Sequence, residues 1–215
     1  MKLSRLLPLF VVAEVLMFEA AALAACPAPN ASQTTAKRPA GSSTEAMYRA
    51  AADSADRKFH KIEMNGRRAE PDQTPTVLTE REINAYVASG RVKLPKGVNR
   101  VRFSGSQGSV TTDATIDFDK VTEGRGSFNP LMALFSGVHD VEVVSHGQGS
   151  GGVGHVVIDS VSIDGVHVPQ IALQYFVDHY IKPKYPDLGL TSKFELPDRI
   201  DTSMIGDHVL TLTQK

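Results

Sequence analysis

Residues 140–163 read DVEVVSHGQGSGGVGHVVIDSVSI, and the meaning of the glycines in the middle decides the fold. Gly147-Gln148-Gly149-Ser150-Gly151-Gly152 fits G-x-G-x-x-G, the dinucleotide fingerprint. That fingerprint requires a strand before it and a helix after it, because the helix N-terminus holds the pyrophosphate. DVEVV reads as a strand, but VGHVVIDSVSI is β-branched without helical spacing and reads as a second one. A glycine-rich run between two strands is a hairpin connection. No Lys-Ser/Thr pair follows to make a phosphate loop. In the second strand Val156 and Ile158 point one way and Val161 and Ile163 the other, so a bulge near Asp159-Ser160 is expected to reconcile them.

The same alternation recurs on either side. In SVTTDATIDFD (109–119), Val110, Thr112, Ala114, Ile116 and Phe118 share one face and Thr111, Asp113, Thr115, Asp117 and Asp119 the other. VRF (101–103) precedes it across Gly105–Gly108, a hairpin signal. FELPDRIDTSMI and HVLTLTQ are expected to pair across Gly206-Asp207. Helices fall between the hairpins. TEAMYRAAADSADRKFHKI (44–62) carries apolar residues at three- and four-residue spacing. A polar loop is expected over 67–77. Thr79 and Glu82 form a capping box, Leu78 can staple to Ile83, and Gly90 ends the helix. In NPLMALFSG (129–137), Asn129 caps, Pro130 opens and Gly137 stops a short helix apolar on nearly every side. Pro169 opens a further helix with Leu173, Phe176, Val177, Tyr180 and Ile181 as its stripe, and Pro183 ends it. The class is α+β: a curved antiparallel sheet of hairpins with two or three helices packed on one face.

The N-terminus has a different composition. MKLSR, LLPLFVVA and AALAAC lay out a secretory signal over 1–25, although Glu14 and Glu19 interrupt its apolar run. An internal start at Met17 would remove most of it. Cys26 is the only cysteine, so no intramolecular disulfide is available. Leu23-Ala24-Ala25-Cys26 fits a bacterial lipobox, which makes Cys26 the expected lipidation site and membrane tether. Simple cleavage after Ala24 or Ala25, leaving a free thiol, is the alternative. Residues 26–43, rich in Pro, Ala, Ser and Thr, have linker composition, and 44–215 is expected to be one domain.

Little here suggests chemistry. The formal net charge of −1 gives no basic excess for nucleic acid. Seven histidines include His139, His146 and His155 near the glycine hairpin, yet none stands at metal-ligand spacing, so no metal and no cofactor is expected. Asp113, Asp117 and Asp119 fit the wet face of a strand better than a pair of glycosidase carboxylates. No nucleophile elbow is present. The expectation is a non-enzyme.

What stands out is apolar. Leu131, Met132, Leu134 and Phe135, with Phe176, Val177 and Tyr180, are the residues expected to line a groove for an apolar ligand, a lipid by preference. LTEREINAY (78–86), VSIDGVHVP (161–169) and the closing ELPDRIDTSMIGDHVLTLTQ (195–214) resemble small exported bacterial lipoproteins of an acidobacterial style, distantly similar to the tubular lipid-binding (TULIP-like) group. The resemblance implies a curved sheet, a long helix and a lipid groove, and carries over no functional residue. The expected role is therefore an exported envelope protein, periplasmic or membrane-anchored, that binds or carries an apolar ligand. The alternative is a structural lipoprotein that docks a partner protein through a sheet edge or apolar helix. Oligomeric state is left open.

Overall fold

The computed structural model describes residues 43–121, 135–183 and 185–215. The expected signal, the linker up to residue 42 with Cys26, and Leu131, Met132 and Leu134 lie outside the described residues, while Ser43 already belongs to the first helix. The described elements are α1 (Ser43–Gly66), β1 (Thr76–Thr79), α2 (Glu80–Ala88), β2 (Val98–Ser106), β3 (Ser109–Asp117), α3 (Phe118–Val121), β4 (Val138–Ser150), β5 (Val153–Ile163), β6 (Val166–His167), α4 (Gln170–Phe176) with a π-helical turn (Val177–Ile181), β7 (Thr191–Glu195), β8 (Ile200–Gly206) and β9 (Val209–Gln214). The class is α+β, with the nine described strands in one open antiparallel sheet.

Strand β4 organises that sheet. One edge pairs with β5 over Val141–Ser150; the other pairs with β3 over Val138–His146 and then, past the end of β3, meets β8 at Gly149 and Ser203. The hairpins β2–β3 and β8–β9 therefore lie along the same side of β4, and their turns touch. The Gly108 N–H donates to the Ile205 carbonyl at 2.8 Å, and the His208 N–H donates to the Gly105 carbonyl at 2.9 Å.

Most glycines of the opening stretch serve the strands and not the turn. Only Gly151-Gly152 turns, both residues at positive φ as a two-residue hairpin of type I′ requires. Gly149 lies in β4 where a Cβ would run into Ser203 and Leu196, and Gly154 lies in β5 where one would run into the Phe194 ring. The bulge falls where the parity conflict demanded. The register slips between Val144 and Ser145 opposite Ile158 and Ser160, leaving Asp159 as the extra, exposed residue. Gly154 and Val156 before it, and Val161 and Ile163 after it, are consequently all buried.

Three expectations need correction. The expected loop over 67–77 ends earlier: Thr76 and Val77 already belong to the strand Thr76–Thr79, which pairs with Val209–Leu212 of β9 and buries Leu78 completely. Thr191–Glu195 does not join the last hairpin; it pairs with β5, and β8 begins only at Ile200. The helix after Pro169 is α-helical to Phe176 and then widens into the π turn, in which the Lys182 N–H reaches the Val177 carbonyl at 2.9 Å.

One continuous core joins the layers, with Ala55, Phe59 and Ile62 of α1 and Tyr86 of α2 over one part of the sheet and Ala172, Phe176 and Ile181 over another. Each fully buried aliphatic side chain in it contributes about 1.5–3 kcal/mol. Helices α1 and α2 are also tied by polar contacts. The Glu82 carboxylate accepts from Lys58 Nζ at 2.6 and 2.7 Å, from Ser54 Oγ at 2.6 Å and from the Thr79 N–H at 2.8 Å, while Thr79 Oγ1 accepts from the Glu82 N–H at 3.2 Å, completing the capping box. These donors hold the carboxyl down to about 2 against the cost of its burial.

Candidate binding cavities

Two cavities flank β4. The first is apolar and lies beneath the π turn. Phe135 stacks on Phe176 at 4.4 Å between ring centroids, Phe118 meets both edge-on at 5.5 and 5.9 Å, and Phe176 stacks on Tyr180 at 5.3 Å. The rings border a cavity of about 70 Å³, floored by Val141, Val143, Val161 and Ile163 of the sheet and walled by Val177 and Ile181. Of the expected groove residues, Phe135, Phe176 and Val177 are thus brought together and buried, with Tyr180 partly buried beside them. The floor was not part of the expected set, because only the register of β4 against β5 places those valines under the aromatic wall.

The second cavity is a cleft of about 620 Å³ where α1 and α2 approach β2, running along β2–β5. Asn84 of α2 fixes that approach: its side-chain amide donates to the Phe103 carbonyl and accepts from the Phe103 N–H, both at 2.8 Å, so it satisfies the strand edge. Tyr48 and Ala88 line one wall, and Arg100, Arg102, Asp113, Asp140, Glu142 and Ser162 line the sheet side. Register sets these in rows. Arg102 is opposite Asp113, Asp113 opposite Glu142, and Glu142 opposite Ser162. In the next row Thr115 Oγ1 donates to Asp140 Oδ1 at 2.7 Å, and Arg100 stands 3.9 Å from the same oxygen. Arg102, Asp113 and Glu142 make no hydrogen bond or ion pair among the described residues. Directly opposed like charges on neighbouring strands are destabilising, and here they face into the larger of these two cavities. Of this set only Asp113 was singled out from sequence; Arg102 and Glu142 lie on separate strands, and nothing local joins them.

The other acids have local employment. Asp117 pairs with Lys120 at 2.7 Å, and Asp119 Oδ1 accepts from the Gly137 N–H at 3.1 Å, so both brace the α3 corner and neither lines the cleft. Among the described residues no cluster of three or more His, Cys, Asp or Glu is arranged to hold a metal ion, and no helix is long and apolar enough to cross a membrane. Two of the three histidines near the hairpin bond to carboxylates: His146 to Asp159 at 2.8 Å and His139 to Asp164 at 2.6 Å. The Asp164 hydrogen bond, then the Ser136 carbonyl, push His139 above its ordinary value, and His139 in turn holds Asp164 below the usual carboxylate range.

No family model, no curated protein and no solved structure matches this chain.

Proposed function

We propose that the domain is a non-catalytic binding module whose β2–β5 cleft takes a polar ligand bearing an amine or guanidinium group. The carrying observation is the Arg102–Asp113–Glu142 row: two carboxylates against one guanidinium, all without partners among the described residues, in a cleft of about 620 Å³. That volume suits a small-molecule site, which runs to roughly 300–1,000 Å³. A cation seated between Asp113 and Glu142 relieves their repulsion, Arg102 offers donors to an acceptor on the same ligand, and Tyr48 supplies an aromatic wall. Calorimetric titration with spermidine, glucosamine oligomers and the corresponding neutral sugars tests this. Cationic ligands are expected to bind at least about tenfold more tightly than neutral ones, with the preference lost in Glu142→Gln. Absence of binding by every cationic ligand, or binding unchanged in the variant, overturns the reading.

A second reading, an apolar ligand under the π turn, is favoured by the aromatic wall and by the frequency of π turns at functional sites. The cavity of about 70 Å³ is roughly half the ~150 Å³ that admits benzene, so a lipid chain would enter only by displacing Phe135 or Phe176. Lipid retained by the purified chain and detected after organic extraction supports this reading; a lipid-free chain that takes up none counts against it. Export through residues 1–25 and a tether at Cys26 belong to the same proposal, and a diacylglyceryl mass on Cys26 of chain recovered from membranes tests both.

A further inference from the structure

We propose that His139 is a proton-dependent fastener that holds the Phe135 wall to strand β4 when both ring nitrogens carry hydrogen and releases it when one is lost. Nδ1 lies 2.6 Å from Asp164 Oδ2 and Nε2 lies 2.7 Å from the Ser136 carbonyl oxygen. Both partners are acceptors, and a neutral imidazole has one N–H. The contacts therefore coexist only on the imidazolium. The charged groups around the ring favour that form: the Asp164 carboxylate from the β5–β6 turn and the Asp119 carboxylate from α3, with the Phe118 ring tilted beside it at 6.2 Å between centroids. The neighbouring Asp140 carboxylate is committed to Thr115 and Arg100, while its backbone N–H donates to Asp164 Oδ1 at 3.0 Å and steadies the turn.

The single hydrogen of the neutral ring stays with Asp164, because a bond to a charged acceptor is about twice as strong as one to a carbonyl. The Nε2 lone pair then faces the Ser136 oxygen, and the Ser136 turn moves away. That turn links Phe135, stacked on Phe176, to Gly137, whose carbonyl accepts from the Phe118 N–H at 2.8 Å. Loss of the proton thus loosens one wall of the apolar cavity. The raised position of His139 sets the direction: fastening is complete at acidic pH and is lost as pH rises above the ordinary histidine range near 6.5. The device is independent of which cavity takes a ligand.

The test uses the full chain labelled with ¹⁵N. His139 ring resonances are expected to show both nitrogens protonated at pH 6. The exchange protection of the Phe118 and Gly137 amides, corrected for the intrinsic rise of exchange with pH, is expected to fall about five- to tenfold between pH 6 and pH 9. His139→Gln, which has a donor for only one of the two acceptors, is expected to show the low protection at both pH values. A neutral ring at pH 6, pH-independent protection in the wild type, or the same pH step in His139→Gln overturns the proposal. The ring titration decides the matter even if the variant fails to fold.

Discussion

Replacing Glu82 with glutamine removes one negative charge and leaves its size and shape nearly unchanged. The carboxylate is 11% exposed, faces Lys58 Nζ at 2.6 Å and receives Ser54 and the Thr79 N–H as well. Its pKa falls from 4.5 to about 2, and at about 1.4 kcal/mol per pH unit the stabilisation at neutral pH is about 3 kcal/mol. A depressed carboxyl stabilises fully above its unfolded value near 4.5, and its contribution is lost as pH falls from there to about 2. Glu82→Gln is therefore expected to cost about 3 kcal/mol at pH 7, or about 9 °C in Tm for a domain of this size. The gap between wild type and variant should shrink below about 1 kcal/mol by pH 2.5. The chain has no tryptophan, so urea unfolding is best followed by far-UV circular dichroism across that pH range. A variant within about 0.5 kcal/mol of wild type at pH 7 would refute the assignment of this carboxylate as a tie between α1 and α2. So would a gap that stays near 3 kcal/mol down to pH 2.5, since a merely steric defect does not titrate.

Other perturbations probe the sheet and the aromatic wall. Gly154→Ala places a methyl against the Phe194 ring and is expected to cost about 1–3 kcal/mol in urea unfolding. Deleting Asp159 removes the bulge and turns either Val156 or Val161 with its neighbours to the wrong face, so the deleted chain is expected to lose cooperative unfolding by circular dichroism. Phe176→Ala removes the ring shared by Phe118, Phe135 and Tyr180 and is expected to cost about 3–5 kcal/mol, with bound benzene or xenon recovering part of the loss.

What was legible in the sequence follows the range over which each signal acts. The Thr79–Glu82 capping box is complete within four residues, and it forms as read. The clash of parity between Val156 and Val161 required an irregularity between them, and Asp159 supplies it. Partners distant in sequence were not legible. Nothing in TVLT announces β9, some 130 residues further on, and nothing in TSKFE distinguishes β5 from β9 as its neighbour. The glycines of 147–154 carry the same letters whether they turn the chain or leave room for Phe194 and Ser203; only the packed sheet tells these apart. Phe135 and Phe176 of the apolar cavity were visible in apolar helical runs and Phe118 only as a strand residue, whereas the cleft needs Arg102, Asp113 and Glu142 placed side by side, a fact of cross-strand register.

The pairing of β1 with β9 also fixes an order of events as the chain is made. The α1–β1–α2 block emerges early, held by its own Lys58–Glu82 contact and by Phe59 against Tyr86, with rings 4.9 Å apart. Its strand Thr76–Thr79, carrying Val77 and Leu78, then waits for β9. Until β9 arrives, Gln214 cannot donate to the Ile62 carbonyl or accept from Asn65, both at 2.8 Å, and the apolar edge of β1 is open to other nascent chains. A chain still being translated is most prone to aggregate during that interval, and it becomes safe only when the first and last of the described strands close on each other.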